Sequence, residues 1–230
     1  MKDLDYRLQL FTYGPFEIPK KDKYLIVGSG PSSGPVLDYI EKNPSTSMGI
    51  FSLNCTIQTI KHTDISIHSH YEDVYTSWDH FYKSSLIFLP NPMSVGYRCL
   101  PIDTANLLNH NDMVEHFSGR IRFFKKEEDI DKSQIVFESL YANKTIATAA
   151  LDLLIRNGHK EVYFCGIDGG EDAPRAKQFE NIKCYRKKYR SQPGYDRCVR
   201  DFHHFAKKRK VKLTHFGDLI NESVGSHIKL

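Results

Sequence analysis

The chain has no CxxC pair, no apolar run approaching the length of a bilayer span, no internal repeat and no low-complexity tract. Disorder, membrane spanning and a zinc-ribbon core are excluded on those grounds. Its five cysteines, Cys55, Cys99, Cys165, Cys184 and Cys198, are odd in number and show no zinc-ligand spacing, so reduced thiols are expected. The opening MKDLDYRLQL lacks a secretory apolar region and a small-residue cleavage site, which predicts a cytoplasmic location. Charge of one sign is also scarce. Lys and Arg number 32 against 28 Asp and Glu, a net +4 that is too small to demand nucleic acid. No stable nucleic-acid partner is expected, and an acidic small molecule fits equally well.

What remains is an ordinary globular composition, 40% hydrophobic and 26% charged over 230 residues, enough to bury one core. Residues 1–230 therefore read as a single α/β domain, with 169–195 as a small lid within it.

The pattern along the chain is a strand, a turn and a helix, repeated. KYLIVGSG, Lys23 to Gly30, is a short apolar run ending in glycines, and PVLDYIEK, Pro35 to Lys42, has helical spacing stopped by Asn43 and Pro44. GIFSLN (Gly49–Asn54), DISIHSH (Asp64–His70) and SSLIFLPNP (Ser84–Pro92) are further buried parallel strands. RIRFFKK near Arg120 reads as another strand. ANKTIATAALDLLIRNGHKEVYFCGIDGG holds a long Ala/Leu/Ile helix, a glycine stop at Gly158 and the strand VYFCGID. A helix from about Asp196 to Arg209 and a last strand VKLTHF complete the pattern. Ligands of open parallel sheets gather at the carboxyl ends of strands, which points to Gly28–Ser32, Asn54, His68–His70 and Asn91.

Four features carry chemistry. The loop GSGPSSGP, Gly28 to Pro35, supplies glycines for close approach, serine hydroxyls and a helix N-terminus, the requirements of a phosphate-binding turn. No GK[ST] follows, and GxGxxG fails at Ser33, so a structural strand-to-helix turn is the alternative. In CGIDGGED, Asp168 ends a strand beside two glycines and suits ribose hydroxyls or a water-held metal; a loop-capping carboxylate is the alternative. His62, His68, His70 and His80 share one window, and His68 and His70 have the spacing of one strand face; acid–base or metal chemistry stands against histidine-rich surface. His203 and His204 read as partly buried helix residues. The basic clusters KCYRKKYR (Lys183–Arg190) and KKRK (Lys207–Lys210) suit phosphates and bases, or a solvated face, and the first could fold over a nucleotide.

The order VGSGPS, a strand ending in Asn54, NKTIATAALDLLIRNGHKEVYFCGID and a basic helix leading to VKLTHF resembles glycosyltransferase family 42, the bacterial sialyltransferases. It is similar also to the motility accessory factor and 6-hydroxymethylpterin diphosphokinase-like family. The resemblance implies a Rossmann-like open, mostly parallel sheet with helices on both faces. It places the nucleotide motif on Gly28, Ser29, Gly30, Pro31 and Ser32, with serine at position 29 where the family has asparagine. A cytidine contact falls on Asn54, the Thr of a Thr-Ser-Gly on Thr145, and Gly-Ile-Asp on Gly166, Ile167 and Asp168. The family's lid histidine has no counterpart in SQPGYDR, so His68 or His70 is left as base, with Tyr185, Tyr189 and Tyr195 as phenols for the leaving phosphate. His68, Asp168 and Tyr195 are the catalytic candidates.

The expected activity is transfer of a sugar, a CMP-linked acidic one, from a nucleotide-sugar donor to a glycan or other hydroxyl acceptor. No cofactor is required on that reading, and a homo-oligomer is left open. A diphosphokinase using a nucleoside triphosphate is the alternative enzyme, with Mg2+ held by Asp168, Glu171 and Asp172; a non-catalytic nucleotide or nucleic-acid binder is the alternative from another class.

Overall fold

The computed structural model of the chain describes residues 16–44, 47–90, 119–132, 139–168, 175–182 and 192–225. Strand β1 (Lys23–Val27) buries its last four residues and stops at Gly28. Helix α1 (Ser33–Lys42) starts two residues ahead of the expected Pro35, because Ser33 folds back on Gly30 through both its amide (3.1 Å) and its hydroxyl (2.6 Å). Pro35 then sits in the first turn, where its missing N–H removes no helical bond. Asn43 closes the helix, its side-chain amide donating to Tyr39 O at 2.9 Å.

Strands β2 (Met48–Leu53), β3 (Thr63–Ile67) and β4 (Ser84–Pro90) follow the expected runs. β5 (Ile121–Glu127) takes up RIRFFKK. Between β3 and β4 lies a helix that the periodicity does not announce, α2 (Tyr71–Ser77). After β5 come a three-residue strand β6 (Ser139–Tyr141), helix α3 (Ile146–Arg156) and strand β7 (Glu161–Cys165). Helix α4 (Gln192–Lys208) begins four residues before the expected Asp196, with Pro193 in its first turn. β8 (Lys212–His215) and a second unannounced helix, α5 (Phe216–Gly225), complete the described chain.

The strands form one sheet in the order β6-β5-β4-β3-β2-β1-β7-β8, and every pairing between them is parallel. Alternation along β1 sorts the two faces. Leu25 and Val27 point to the side covered by α1 and α5, where Val36, Phe179 and Phe216 pack; Tyr24 and Ile26 point to the side covered by α3 and α4. Ala147, Ala149 and Ala150 let α3 press against the sheet, and Phe202 and Phe205 bring α4 onto the same core. Each fully buried Leu, Ile or Phe contributes about 1.5–3 kcal/mol over an exposed one. The fold class is thus an α/β Rossmann-like open sheet with helices on both faces.

Two details fix α3. Thr145 caps its first turn, accepting from the Ala147 amide at 3.2 Å. Downstream, Asp152 accepts from the Tyr141 amide at 2.9 Å and pairs with Arg156 at 3.1 Å, while Arg156 donates to Ser139 O. A buried ion pair thereby satisfies the outer backbone groups of β6, which would otherwise be an open sheet edge. No helix among the described residues is long and apolar enough to cross a membrane.

Candidate functional site

The strand order reverses at β1. The chain steps outward from β1 to β6, returns beneath the sheet through α3, and lays β7 on the other flank of β1. In open α/β sheets the crevice outside the carboxyl ends at such a reversal is where ligands bind. The loops that line it are Gly28–Ser32, after β1, and Gly166–Asp168, after β7.

These two loops are joined to each other. The Gly28 amide donates to Cys165 O at 2.9 Å and the Gly30 amide to Gly166 O at 3.0 Å. A Cβ at Gly28 would lie 2.2 Å from Gly166 O, and one at Gly166 would lie 2.2 Å from Gly28 O; Gly166 also has a φ of +67°. Both positions need glycine for the mutual approach of the loops, whatever else they serve. Asp168 completes the junction. Its Oδ1 accepts from Ser32 Oγ (2.7 Å), its Oδ2 from the Ser32 amide (3.0 Å), and Ser32 Oγ in turn accepts from the Gly166 amide (2.7 Å).

This geometry corrects the picture of an open phosphate turn. The Ser32 amide faces a carboxylate of the chain itself, the Ser33 amide is turned to Gly30 O, and the Gly34 amide to Pro31 O. An incoming anion would meet the Asp168 charge before the helix N-terminus. What the crevice presents is an oriented, half-exposed carboxylate with two acceptor positions still open, a pattern that suits a pair of hydroxyls. The Cys165 thiol just before it is buried, and burial together with Asp168 pushes its ionisation up, so it is inert.

The flanks are packed. Ala176 N–H donates to Ser29 O at 3.0 Å, Thr59 Oγ1 to Gln178 O at 3.1 Å, and Gln178 Nε2 to Gly34 O at 3.3 Å. Phe179 is fully buried. Residues 175–182, expected within the 169–195 lid, therefore belong to the body of the domain, and 192–195 form the start of α4. Ser29 is half-buried and Pro31 exposed at the mouth of the crevice.

Asn54 stands one strand away, at the carboxyl end of β2, with a left-handed φ of +51° that asparagine tolerates. Its Oδ1 accepts from the Ser69 amide (2.8 Å) and hydroxyl (3.0 Å), leaving its NH2 as the group that can meet a ligand. Lys126 donates to Ser69 O, which adds a half-buried cation to this edge. Sequence reasoning passed over Lys126; the signal was a lysine in the last two residues of an apolar strand. Thr145 opens α3, which packs against β1 and β2, and its hydroxyl caps that helix.

His68 requires a correction. Its amide donates to Phe88 O, its ring is fully buried against Phe81 (5.1 Å between centroids), and Nε2 contacts Ser66 Oγ at 2.8 Å. Burial lowers its pKa to about 3, so the imidazole is neutral and cannot meet an acceptor hydroxyl from solvent. His70, half-buried just past β3, remains at the carboxyl edge. His203 and His204, expected partly buried, are exposed on α4, the former against the edges of Phe164 and Phe202.

The side chain of Tyr195 lies outside the described residues, as do Asn91, Glu171, Asp172 and the cluster Lys183–Arg190. Among the described residues no group of three or more His, Cys, Asp or Glu is placed to hold a metal ion. No protein-family model matches the sequence, and no curated protein is detectably similar to it.

Proposed function

We propose that the chain is a nucleotide-sugar-dependent glycosyltransferase that seats its donor across the β1/β7 reversal and passes the sugar to a hydroxyl of a glycan or similar acceptor. The observation that carries this is Asp168, fixed by two hydrogen bonds from Ser32 at the mouth of the reversal crevice and keeping lone pairs for a vicinal diol. The ribose of the donor supplies that diol. A cytidine monophosphate linked to an acidic sugar is the donor suggested by the likeness of VGSGPS and GID to the sialyltransferase motifs.

The filled amide of Ser32 moves the phosphate away from the α1 N-terminus. The Asn54 NH2, at the end of β2, and the Lys126 ammonium, which reaches from β5 to Ser69 beside Asn54, are the donors on that side to stabilise the departing phosphate. His70 replaces the sealed His68 as base for the acceptor hydroxyl. Displacement then needs only positioning, one proton transfer and leaving-group stabilisation.

Thermal shift with CMP, CMP-sialic acid and ATP with magnesium, each alone, tests this reading. A specific ligand at 100 times its Kd adds about 2.7 kcal/mol of stability. Stabilisation by the cytidine ligands, lost in Asp168→Asn, is expected. Stabilisation by ATP with magnesium alone would favour the diphosphokinase, and an unchanged shift in Asp168→Asn would remove the ribose role.

A further inference from the structure

The small net charge conceals an uneven distribution. On α4, Arg197, Arg200, His204 and Lys207 follow one another at spacings of three, four and three residues, which sets them in one row on the outer face of the helix, and all four are exposed. The row is about 15 Å long. The opposite face of α4, with Phe202, Phe205 and Ala206, is buried on the sheet.

Some exposed cations are paired: Lys61 with Glu41, Lys208 with Asp131, Lys212 with Glu161. Arg197, Arg200 and Lys207 have no ion-pair partner among the described residues. The two acids of α4, Asp196 and Asp201, stand four residues from Arg200 and Arg197; Asp201 is held by the Tyr141 hydroxyl (2.7 Å) and the Lys144 amide (3.2 Å). The helix dipole does not explain the row. Arg197 and Arg200 lie far from the C-terminal turn, where the helix dipole would favour them, and like charges three residues apart repel by a few tenths of a kcal/mol.

We propose that this face of α4 docks the phosphate backbone of a nucleic acid, a binding activity separate from the β1/β7 crevice. A row of point charges one helical turn apart complements a chain of phosphates. Membrane-surface helices bury an apolar face in the lipid, whereas the apolar face of α4 is occupied by the sheet. Among the described residues the exposed large hydrophobic is Tyr82, which is not on α4, so no described aromatic side chain lies on the row to stack on bases. Binding is therefore directed at the backbone and indifferent to sequence.

The test is anisotropy of labelled 20-nucleotide DNA and RNA strands of mixed sequence, titrated with the full chain at stepped salt. Each neutralised phosphate contributes a slope of about −0.7 in log K against log salt, so three contacts give about −2 and a loss of roughly 20-fold from 50 to 200 mM. The triple variant R197E/R200E/K207E, with an unchanged circular dichroism spectrum, should lose this binding, and R197Q/R200Q should flatten the slope by about 1.4. Asp168→Asn should leave it intact, which separates this surface from the crevice. Binding that survives the triple variant, a wild-type slope near zero, or capture of phosphatidylserine vesicles in preference to both oligonucleotides would overturn the proposal.

Discussion

Two polar clusters sit at carboxyl strand ends of the same sheet, and they have opposite characters. At the β1/β7 reversal, Ser32 and Asp168 are half-exposed and hydrogen-bonded across two loops. At the end of β3, Ser66 and His68 are fully buried, with the ring against Phe81 and Nδ1 without a hydrogen-bond partner. Both look like chemistry in the sequence. A polar residue at a strand end becomes available to a ligand only where its side chain is turned out of the core, and the order of strands opens a crevice at β1.

The largest expected effect comes from filling the junction itself. Gly28→Ala or Gly166→Ala places a Cβ 2.2 Å from a carbonyl oxygen, which should destabilise the fold by more than about 3 kcal/mol, read from the denaturant midpoint. A loss under about 1 kcal/mol would mean that the loops part easily and the crevice is soft.

The buried cluster should betray itself through acid. The unfolded chain protonates a histidine near pH 6.5, whereas the folded imidazole resists protonation until about 3. Stability contributed by the neutral ring is complete above pH 6.5 and declines as pH falls toward 3, by about 1.4 kcal/mol per unit. At pH 5 the loss is about 2 kcal/mol, and His68→Leu should remove most of it; His159, also lowered by burial, adds in the same direction. Urea unfolding of both chains at pH 7 and pH 5 measures the difference. Equal losses would place His68 in contact with water.

Smaller effects refine the junction. A double-mutant cycle between Ser32→Ala and Asp168→Asn should give a coupling of about 1 kcal/mol, because the pair is half-exposed and screened. No coupling would show that Asp168 is oriented by something other than Ser32. Least of all, Gly158→Ala should cost about 1 kcal/mol from its φ of +86° alone, since nothing lies within 4 Å of its added Cβ. It calibrates how much of the Gly166 effect is conformational and how much is collision.

Much of the fold is legible in local pattern. β1, β2, β3 and β4 appear as buried apolar runs, and α3 as an Ala/Leu repeat ended at Gly158. β6 is too short to leave a period, α2 offers only seven residues, and the first turn of α4 is hidden behind Pro193 and Gly194, which read as breakers. The site is less legible. Ser32 and Asp168 are 136 positions apart, so their contact has no local signature. His68 and His70 share a strand spacing, but β3 ends at Ile67; the ladder continues only through the His68 amide and turns its ring inward, while His70 opens α2 through its carbonyl.

The wide interval across the reversal also has a consequence for biosynthesis. β1 emerges from the ribosome early and gains β2 at once, but its other flank stays bare until β7 has been translated and threaded back along α3. Such distant pairing is slow to form and leaves an apolar strand edge open in the nascent chain. A polypeptide truncated before Glu161 would carry the whole β1 loop and yet possess no crevice.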